Sequence, residues 1–267
     1  MKQPLKIVVL AKQVPDTRNV GKDAMTPEGT VNRAALPAIF NPEDLNALEL
    51  ALSLKDRVEG ATVHVLTMGP QRAADIIRDA MFRGADGGYL LSGREFAGSD
   101  TLATSYALSC ALKKIAPDVI VAGRQAIDGD TAQVGPQIAE HLGLPQVTYA
   151  EELEYDGKDT FTVRKADEDD YQIVEVDAPC LVTALASGVK PRYMSVRGIV
   201  EAYDKPVEVW NFDSVEVDPD TIGLNGSPTR VAKSFAKGMK APGQLYEVEP
   251  EEAVEIILAK LREKFII

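Results

Sequence analysis

A short apolar run, a polar loop and an amphipathic stretch follow one another between Val119 and Pro145, and few folds accommodate that succession. Val119-Ile-Val-Ala122 suits a buried parallel strand, and Gly123 ends it without a side chain. Beyond the loop, Val134, Ile138 and Leu142 form one apolar stripe, which predicts a helix over residues 131–142 closed by Gly143. Asp130 is placed as its N-cap and Gln133 at N3, a capping-box spacing with Asp in the cap position. The N–H groups of Thr131, Ala132 and Gln133 would then face the loop mouth, where the helix dipole favours an anion. A turn of this composition also occurs where nothing binds. Asp128 and Asp130 oppose a phosphate unless they point away or cap the helix.

The rest of the chain sets this segment in a βα alternation. Residues 5–10 begin a sheet, and a loop with hairpin-like content follows to about residue 35. Asn41-Pro-Glu-Asp44 opens a helix: Asn41 suits the N-cap, Pro42 suits N1, Glu43 and Asp44 complement the dipole, and Leu45, Leu48 and Leu52 supply a buried stripe. A strand at 62–67, a helix at 71–83 ended by Gly84, a strand at 88–91, a helix at about 100–115 and a strand at 118–122 complete the series. Such alternation means a mostly parallel sheet with helices on both faces. After Pro145, short β-branched segments near 147–155, 160–165, 171–176 and 180–185 read as antiparallel strands that extend the domain. Residues 187–226 are irregular apart from the strand-like run Pro206–Trp210, and 227–246 have little apolar periodicity. A last helix over about 249–264 carries Val254, Ile257, Leu258 and Leu261 on one face behind Glu249, Glu251 and Glu252. The division is thus an α/β domain over 1–186, an irregular region over 187–205 and an arm over 206–267. The arm suits a segment that embraces another polypeptide; a tail packed on its own domain is the other reading.

With 267 residues the chain can bury one substantial core and carry an excursion, and its formal charge of −12 argues against a nucleic-acid partner. About five consecutive apolar residues near the N-terminus are too few for a signal peptide or a membrane span, so a soluble, cytoplasmic protein is expected. Cys110 and Cys180 read as reduced buried thiols, and His64 and His141 build no metal site. The sequence contains no Ser-His-Asp, Cys-His, HExxH or P-loop constellation. No catalytic side chain is therefore expected, and any redox chemistry belongs to a bound cofactor. In an open α/β sheet that ligand sits beyond the carboxyl ends of the strands, where loops 10–16, 40–44, 67–70 and 123–134 converge.

Ala126-Ile-Asp-Gly-Asp-Thr-Ala-Gln-Val-Gly135 resembles the nucleotide-binding signature of the β subunit of electron-transfer flavoproteins. The resemblance covers nearly the whole chain. It includes, in the family's order, Lys12-Gln-Val-Pro-Asp16, Phe40-Asn-Pro-Glu-Asp44, Thr67-Met-Gly-Pro70, Gly84-Ala-Asp86, Gly98-Ser-Asp-Thr-Leu-Ala-Thr104, Pro191-Arg-Tyr193 and Gly226-Ser-Pro-Thr229. It implies an α/β fold, Rossmann-like and of the adenine nucleotide α-hydrolase-like kind: a mostly parallel sheet with an antiparallel extension and a C-terminal arm. Such subunits hold AMP in simple electron carriers and FAD in electron-bifurcating members. Residues 92–106 resemble the bifurcating version, in which hydroxyls matching Thr101 and Thr104 lie by the isoalloxazine, one helical turn apart. A plain N-capped helix start is the alternative there.

What the resemblance implies for the site is a cofactor held by Leu10, Ala11, Asn41, Asp44, Met68, Asp100, Thr101 and Thr104. With them stands the run Gly123, Arg124, Gln125, Ala126, Ile127, Asp128, Gly129, Asp130, Thr131, Ala132, Gln133 and Val134, its last four residues around the pyrophosphate. Pro191-Arg-Tyr-Met-Ser-Val-Arg-Gly198 is similar to the family's docking loop, with Pro191, Arg192, Tyr193 and above all Val196 toward the partner. The implied activity is that FAD takes hydride from NADH, sends one electron to ferredoxin or flavodoxin and one to the FAD of an α subunit. That α subunit then serves a flavin-dependent dehydrogenase acting on an acyl-CoA or a hydroxy acid. A non-bifurcating carrier with AMP in the same pocket is the alternative. A universal-stress-type regulatory domain is a remoter one that leaves residues 187–267 unexplained. Ile199-Val-Glu-Ala-Tyr-Asp-Lys-Pro206 is acidic where many members carry lysines, and Thr17 replaces an aromatic residue of respiratory-type relatives.

Overall fold

The computed structural model describes residues 4–16, 37–229 and 243–267; Thr17 lies outside them. The chain begins with β1 (Lys6–Leu10), and β2 (Gln13–Pro15) pairs antiparallel with β3 (Ala38–Phe40). Then come α1 (Pro42–Lys55), β4 (Thr62–Met68), α2 (Ala74–Arg83), β5 (Gly87–Leu91), α3 (Thr101–Ile115), β6 (Val119–Gly123) and α4 (Val134–Leu142). The second half holds β7 (Gln146–Tyr155), β8 (Thr160–Asp167), β9 (Asp170–Asp177), β10 (Cys180–Ala184), α5 (Val196–Glu201), β11 (Val207–Trp210) and α6 (Pro250–Glu263).

Nine strands form the main sheet in the order β11-β5-β4-β1-β6-β10-β7-β8-β9. Every neighbouring pair from β11 to β7 is parallel; β8 and β9 are the antiparallel extension. Alternate residues of a strand face opposite sides. On β1, Ile7 and Val9 therefore enter one core with Leu48, Leu52 and Ile77 of α1 and α2, whereas Val8 and Leu10 enter another with Leu112 of α3 and Ile138 of α4. Both sides of β1 are thus dry, which is why its sequence is apolar without alternation. Its neighbours β4 and β6 are reached by crossovers in opposite directions, so the strand order reverses at β1 and a crevice opens at the carboxyl ends.

Two expectations change here. The segment predicted as antiparallel near 180–185 is β10, which lies parallel between β6 and β7 in the middle of the sheet. All five of its residues are buried, the mark of a strand covered on both faces. The arm predicted from residue 206 also begins within the main domain. β11 pairs with β5 at the sheet edge, and Trp210, Val215 and Ile222 pack into the core under α3. By contrast α6 buries none of its residues, and Val254 and Ile257 stand more than half exposed.

The contact that ties fold to crevice is the crossing of α1 over the end of β6. A Cβ on Gly123 would stand 2.7 Å from the Glu43 carbonyl carbon and 2.8 Å from the Asp44 backbone nitrogen. Backbone cannot yield as a side chain can. Gly123→Ala is therefore expected to destabilise the protein by about 1–3 kcal/mol, the range for overpacking. A urea-unfolding midpoint equal to that of the wild type would contradict the crossing.

Candidate functional site

The carboxyl ends of the central strands open into a cavity of about 910 Å³. Its walls come from residues 10–15, 68–73, 92–101 and 122–135, with Thr104 and Leu108 behind them. The first turn of α1 shapes the wall at 123–130. Asn41 is fully buried and does not cap its helix through its side chain. Its Nδ2 instead donates to the Gln125 carbonyl at 2.9 Å, and its Oδ1 accepts the Ile127 N–H at 3.1 Å. Glu43 accepts from Arg124 Nη2 at 3.0 Å, Arg124 Nε at 3.3 Å and the Gln125 N–H at 3.2 Å. The carboxylate of Asp44 accepts the Lys12 N–H at 2.8 Å, while Lys12 Nζ reaches Asp128 at 2.7 Å. Hydrogen bonds to charged groups contribute about 1.5–3 kcal/mol each, so this lacing fixes the loop firmly.

The loop does not enter α4 as expected. Asp130 and Ala132 have φ of 48° and 53°, left-handed values that no helix continues, and α4 starts at Val134 rather than at 131. Asp130 therefore caps nothing; its side chain accepts from Gln125 Nε2 at 3.1 Å. Gln133 is not the partner in a capping box either, because its Oε1 accepts the Thr101 hydroxyl at 2.9 Å. The result is a run of backbone N–H groups, Thr131 to Gly135, none of which donates to an acceptor among the described residues. All five residues line the cavity. Left-handed residues interspersed among others turn successive N–H groups into a concavity suited to an anion. Gly135 lets α4 start close to β10, since a Cβ there would meet Thr183 Cγ2 at 2.9 Å.

On the opposite wall, Asp100 caps α3 by accepting the Leu102 and Ala103 N–H groups, each at 3.0 Å, and also accepts the Thr229 N–H at 2.9 Å. Burial raises its carboxyl pKa, but these backbone bonds outweigh it and hold the group below the usual range. Asp100 is thus a cap as well as a wall residue of the cavity. Thr101 and Thr104 also line the cavity.

The cavity brings together every residue that the family resemblance assigned to the cofactor except Asn41 and Ile127, which lie behind the loop wall and hold it. Sequence reasoning missed Glu43 as the anchor of Arg124 and Arg72 in the wall, and it placed Lys12 and Arg94 in segments at the site without giving either side chain a role. Glu43 carried a signal, an acidic N-terminal pair; the isolated Arg72 carried none. Tyr193 and Val196 lie elsewhere, 85% and 82% exposed. Among the described residues no group of three or more His, Cys, Asp or Glu could hold a metal ion, and no helix is long and apolar enough to cross a membrane.

Comparison with known proteins agrees with this geometry. Residues 28–215 match the model of the electron transfer flavoprotein domain. The chain belongs to the electron transfer flavoprotein β-subunit family. It is 50% identical to electron transfer flavoprotein subunit beta of Clostridium acetobutylicum, over 98% of this chain and 100% of the relative. It is 48% identical to acryloyl-CoA reductase electron transfer subunit gamma of Anaerotignum propionicum, with the same coverage. It is 46% identical, again over 98% and 100%, to caffeyl-CoA reductase-Etf complex subunit CarD of Acetobacterium woodii.

Burial pushes the Asp44 carboxyl up from 3.8 to about 7, against the opposing hydrogen bonds from Lys12, Asn41 and Gly123. The folded protein thus holds this proton more tightly than the unfolded chain. Its contribution to stability is full below pH 3.8 and is lost as pH rises through about 7. Between those values wild-type stability is expected to fall relative to Asp44→Asn, by about 1 kcal/mol per pH unit. Urea midpoints of the two proteins measured across that window check it; parallel curves would show that Asp44 does not titrate there.

Proposed function

We propose that this chain is the β subunit of a heterodimeric electron-transfer flavoprotein of the bifurcating kind, with a complete FAD in the cavity. The observation that carries the reading is the continuity of the cavity, from the amide nest at 131–135 past Thr101 and Thr104 to residues 68–73 and 92–94. At about 910 Å³ it is near the top of the range of about 300–1,000 Å³ for small-molecule sites. AMP at the nest, with its adenosine toward Met68, would leave the part of the cavity by Thr101 and Thr104 unfilled.

The residues divide the task. The N–H groups of Thr131 to Gly135 suit phosphate oxygens, and the carboxylates nearby do not oppose them: Asp128 is paired with Lys12, and Asp130 is turned to Gln125. Thr101, with its proton given to Gln133, offers oxygen lone pairs to a ring N–H of the flavin. Leu10, Leu66 and Leu108 give that part of the wall an apolar surface that keeps water away. An FAD bound there would supply the redox chemistry, acceptance of hydride from NADH and delivery of one electron to ferredoxin or flavodoxin and one to the FAD of the α subunit.

The bare apolar face of α6 is read as the part of the arm, residues 243–267, that lies against the α subunit. Pro191 to Val196 is read as the loop that docks on a flavin-dependent dehydrogenase, with Val196 as an aliphatic anchor in a pocket of the partner. The names of the relatives from Anaerotignum propionicum and Acetobacterium woodii favour a partner of the acyl-CoA class.

Denaturing the purified heterodimer and counting the released nucleotides tests the central point. Two FAD per heterodimer are expected; one FAD with one AMP would identify the non-bifurcating carrier instead. Thr101→Val is expected to shift the absorption of the β flavin and slow its reduction by NADH while leaving the heterodimer assembled. An unaltered spectrum would remove Thr101 from the flavin site.

A further inference from the structure

Residues 190–198 display Tyr193 and Val196 almost bare to solvent, yet the loop that carries them is tied down at every polar group of one residue. The Arg192 guanidinium lies fork to fork on the Glu49 carboxylate, with Nε to Oε2 at 2.9 Å and Nη2 to Oε1 at 2.9 Å. Nη2 also reaches Asp56 at 2.8 Å, and the Arg192 backbone N–H donates to Glu49 Oε2 at 2.9 Å. The Arg192 carbonyl accepts from Arg83 Nη1, and Arg83 is itself held by Asp79 at 2.8 Å. Next to it the Ser195 N–H donates to the Phe82 carbonyl at 3.0 Å, and only a glycine at 198 lets the chain pass that carbonyl so closely. The loop is therefore strapped to the middle of α1 and to the end of α2.

Stability alone does not call for such a strap. Glu49 is 9% exposed, and a buried ion pair often does no better than apolar residues of the same volume. What a bidentate fork adds is orientation, because the planar guanidinium meets the carboxylate in one geometry. Burial raises the Glu49 pKa, but the hydrogen bonds and charge of Arg192 overcome it, so the carboxyl stays below its usual range and the pair stays charged. An exposed loop left free would have to lose its backbone and side-chain entropy on binding, weakening the complex.

We propose that Arg192 is a positioning residue for partner docking: clamped by Glu49 and Asp56, it holds residues 191–196 in their docked shape before the partner arrives. The inference rests on reading this loop as the docking site of a flavin dehydrogenase. Side chains that touch the partner, Tyr193 and Val196, then bind through a surface already ordered, and Arg192 acts through them.

The test uses the intact heterodimer with purified acryloyl-CoA reductase as acceptor, comparing wild type, Arg192→Lys, Glu49→Gln and Val196→Glu. Lysine keeps the charge but loses the fork; glutamine keeps an acceptor but loses the charge. Both are expected to raise KM for the reductase about tenfold, the effect of moving the ordering of one or two groups into the binding step. Turnover at saturating reductase, flavin content and reduction by NADH should stay near wild type, and amide exchange over 190–196 should quicken in the free heterodimer. If Val196→Glu raises KM while the two strap variants leave KM and exchange unchanged, the strap proposal is wrong and the docking reading stands. If Val196→Glu has no effect on KM, the docking reading fails and takes this proposal with it. Loss of flavin or of the heterodimer in both strap variants would assign Arg192 to folding and overturn the proposal.

Discussion

The structure depends on the burial of three polar side chains in the first turn of α1. Asn41, Glu43 and Asp44 would each be costly to bury unpaired. Their partners are the backbone of 125–127, the Arg124 guanidinium and the backbone of Lys12, so satisfying the three groups and shaping the cavity are one event. Remove the loop from its place and Asn41 and Glu43 lose their bonds; remove those groups and the loop has no fixed path. Gly123 belongs to the same arrangement, because only the absence of a side chain lets α1 approach the end of β6 closely enough for these bonds to form.

This lacing also answers the objection that carboxylates at 128 and 130 raise against an anion site. A negative side chain repels a phosphate in proportion to its unneutralised charge and proximity. Lys12 pairs with Asp128, and Asp130 turns its carboxylate toward the Gln125 amide, which leaves the concave side of the loop to backbone N–H groups. The left-handed residues at 130 and 132 are what aim those groups inward. A regular helix from residue 131, as its apolar stripe suggested, would have presented fewer donors to the cavity.

Much of this fold was legible because it rests on local periodicity. The stripe Leu45, Leu48 and Leu52, the stop at Gly84 and the run at 119–122 each read the same way in sequence and in structure. Misreadings arose where a long-range partner overrode a local preference. Cys180–Ala184 is short and β-branched like its antiparallel predecessors, and only its insertion between β6 and β7 makes it a parallel central strand. Asn41 does stand at the N-cap of α1, but its side chain, buried beneath residues 125–127, bonds across 84 and 86 positions of sequence instead of capping. Asp130 and Gln133 have capping-box spacing, but Asp130 bonds to Gln125 five residues back in its own loop, and Gln133 bonds to Thr101 of an element that no local pattern connects to it. Family resemblance located the cavity walls well because walls are runs of chain. It could not separate residues that line the cavity from those, Asn41 and Ile127, that hold the wall from behind.

One helix links the two regions of interest. Asn41 to Asp44 at the start of α1 set the loop that follows β6, and Glu49 in its middle, with Asp56 just past its end, holds the exposed loop at 192. From Glu43 to Glu49 the rise is about 9 Å at 1.5 Å per residue, within a helix whose interior leucines are fully packed. Close-packed interiors deform little, so the cavity and the exposed patch keep a fixed separation and orientation whatever the rest of a complex does. On the reading proposed above, the cavity holds a cofactor and the patch meets an electron acceptor, and an error in either placement would shift the distance that an electron must cross. α1 anchors both regions to one rigid element, with carboxylates spaced along its length as the fastenings.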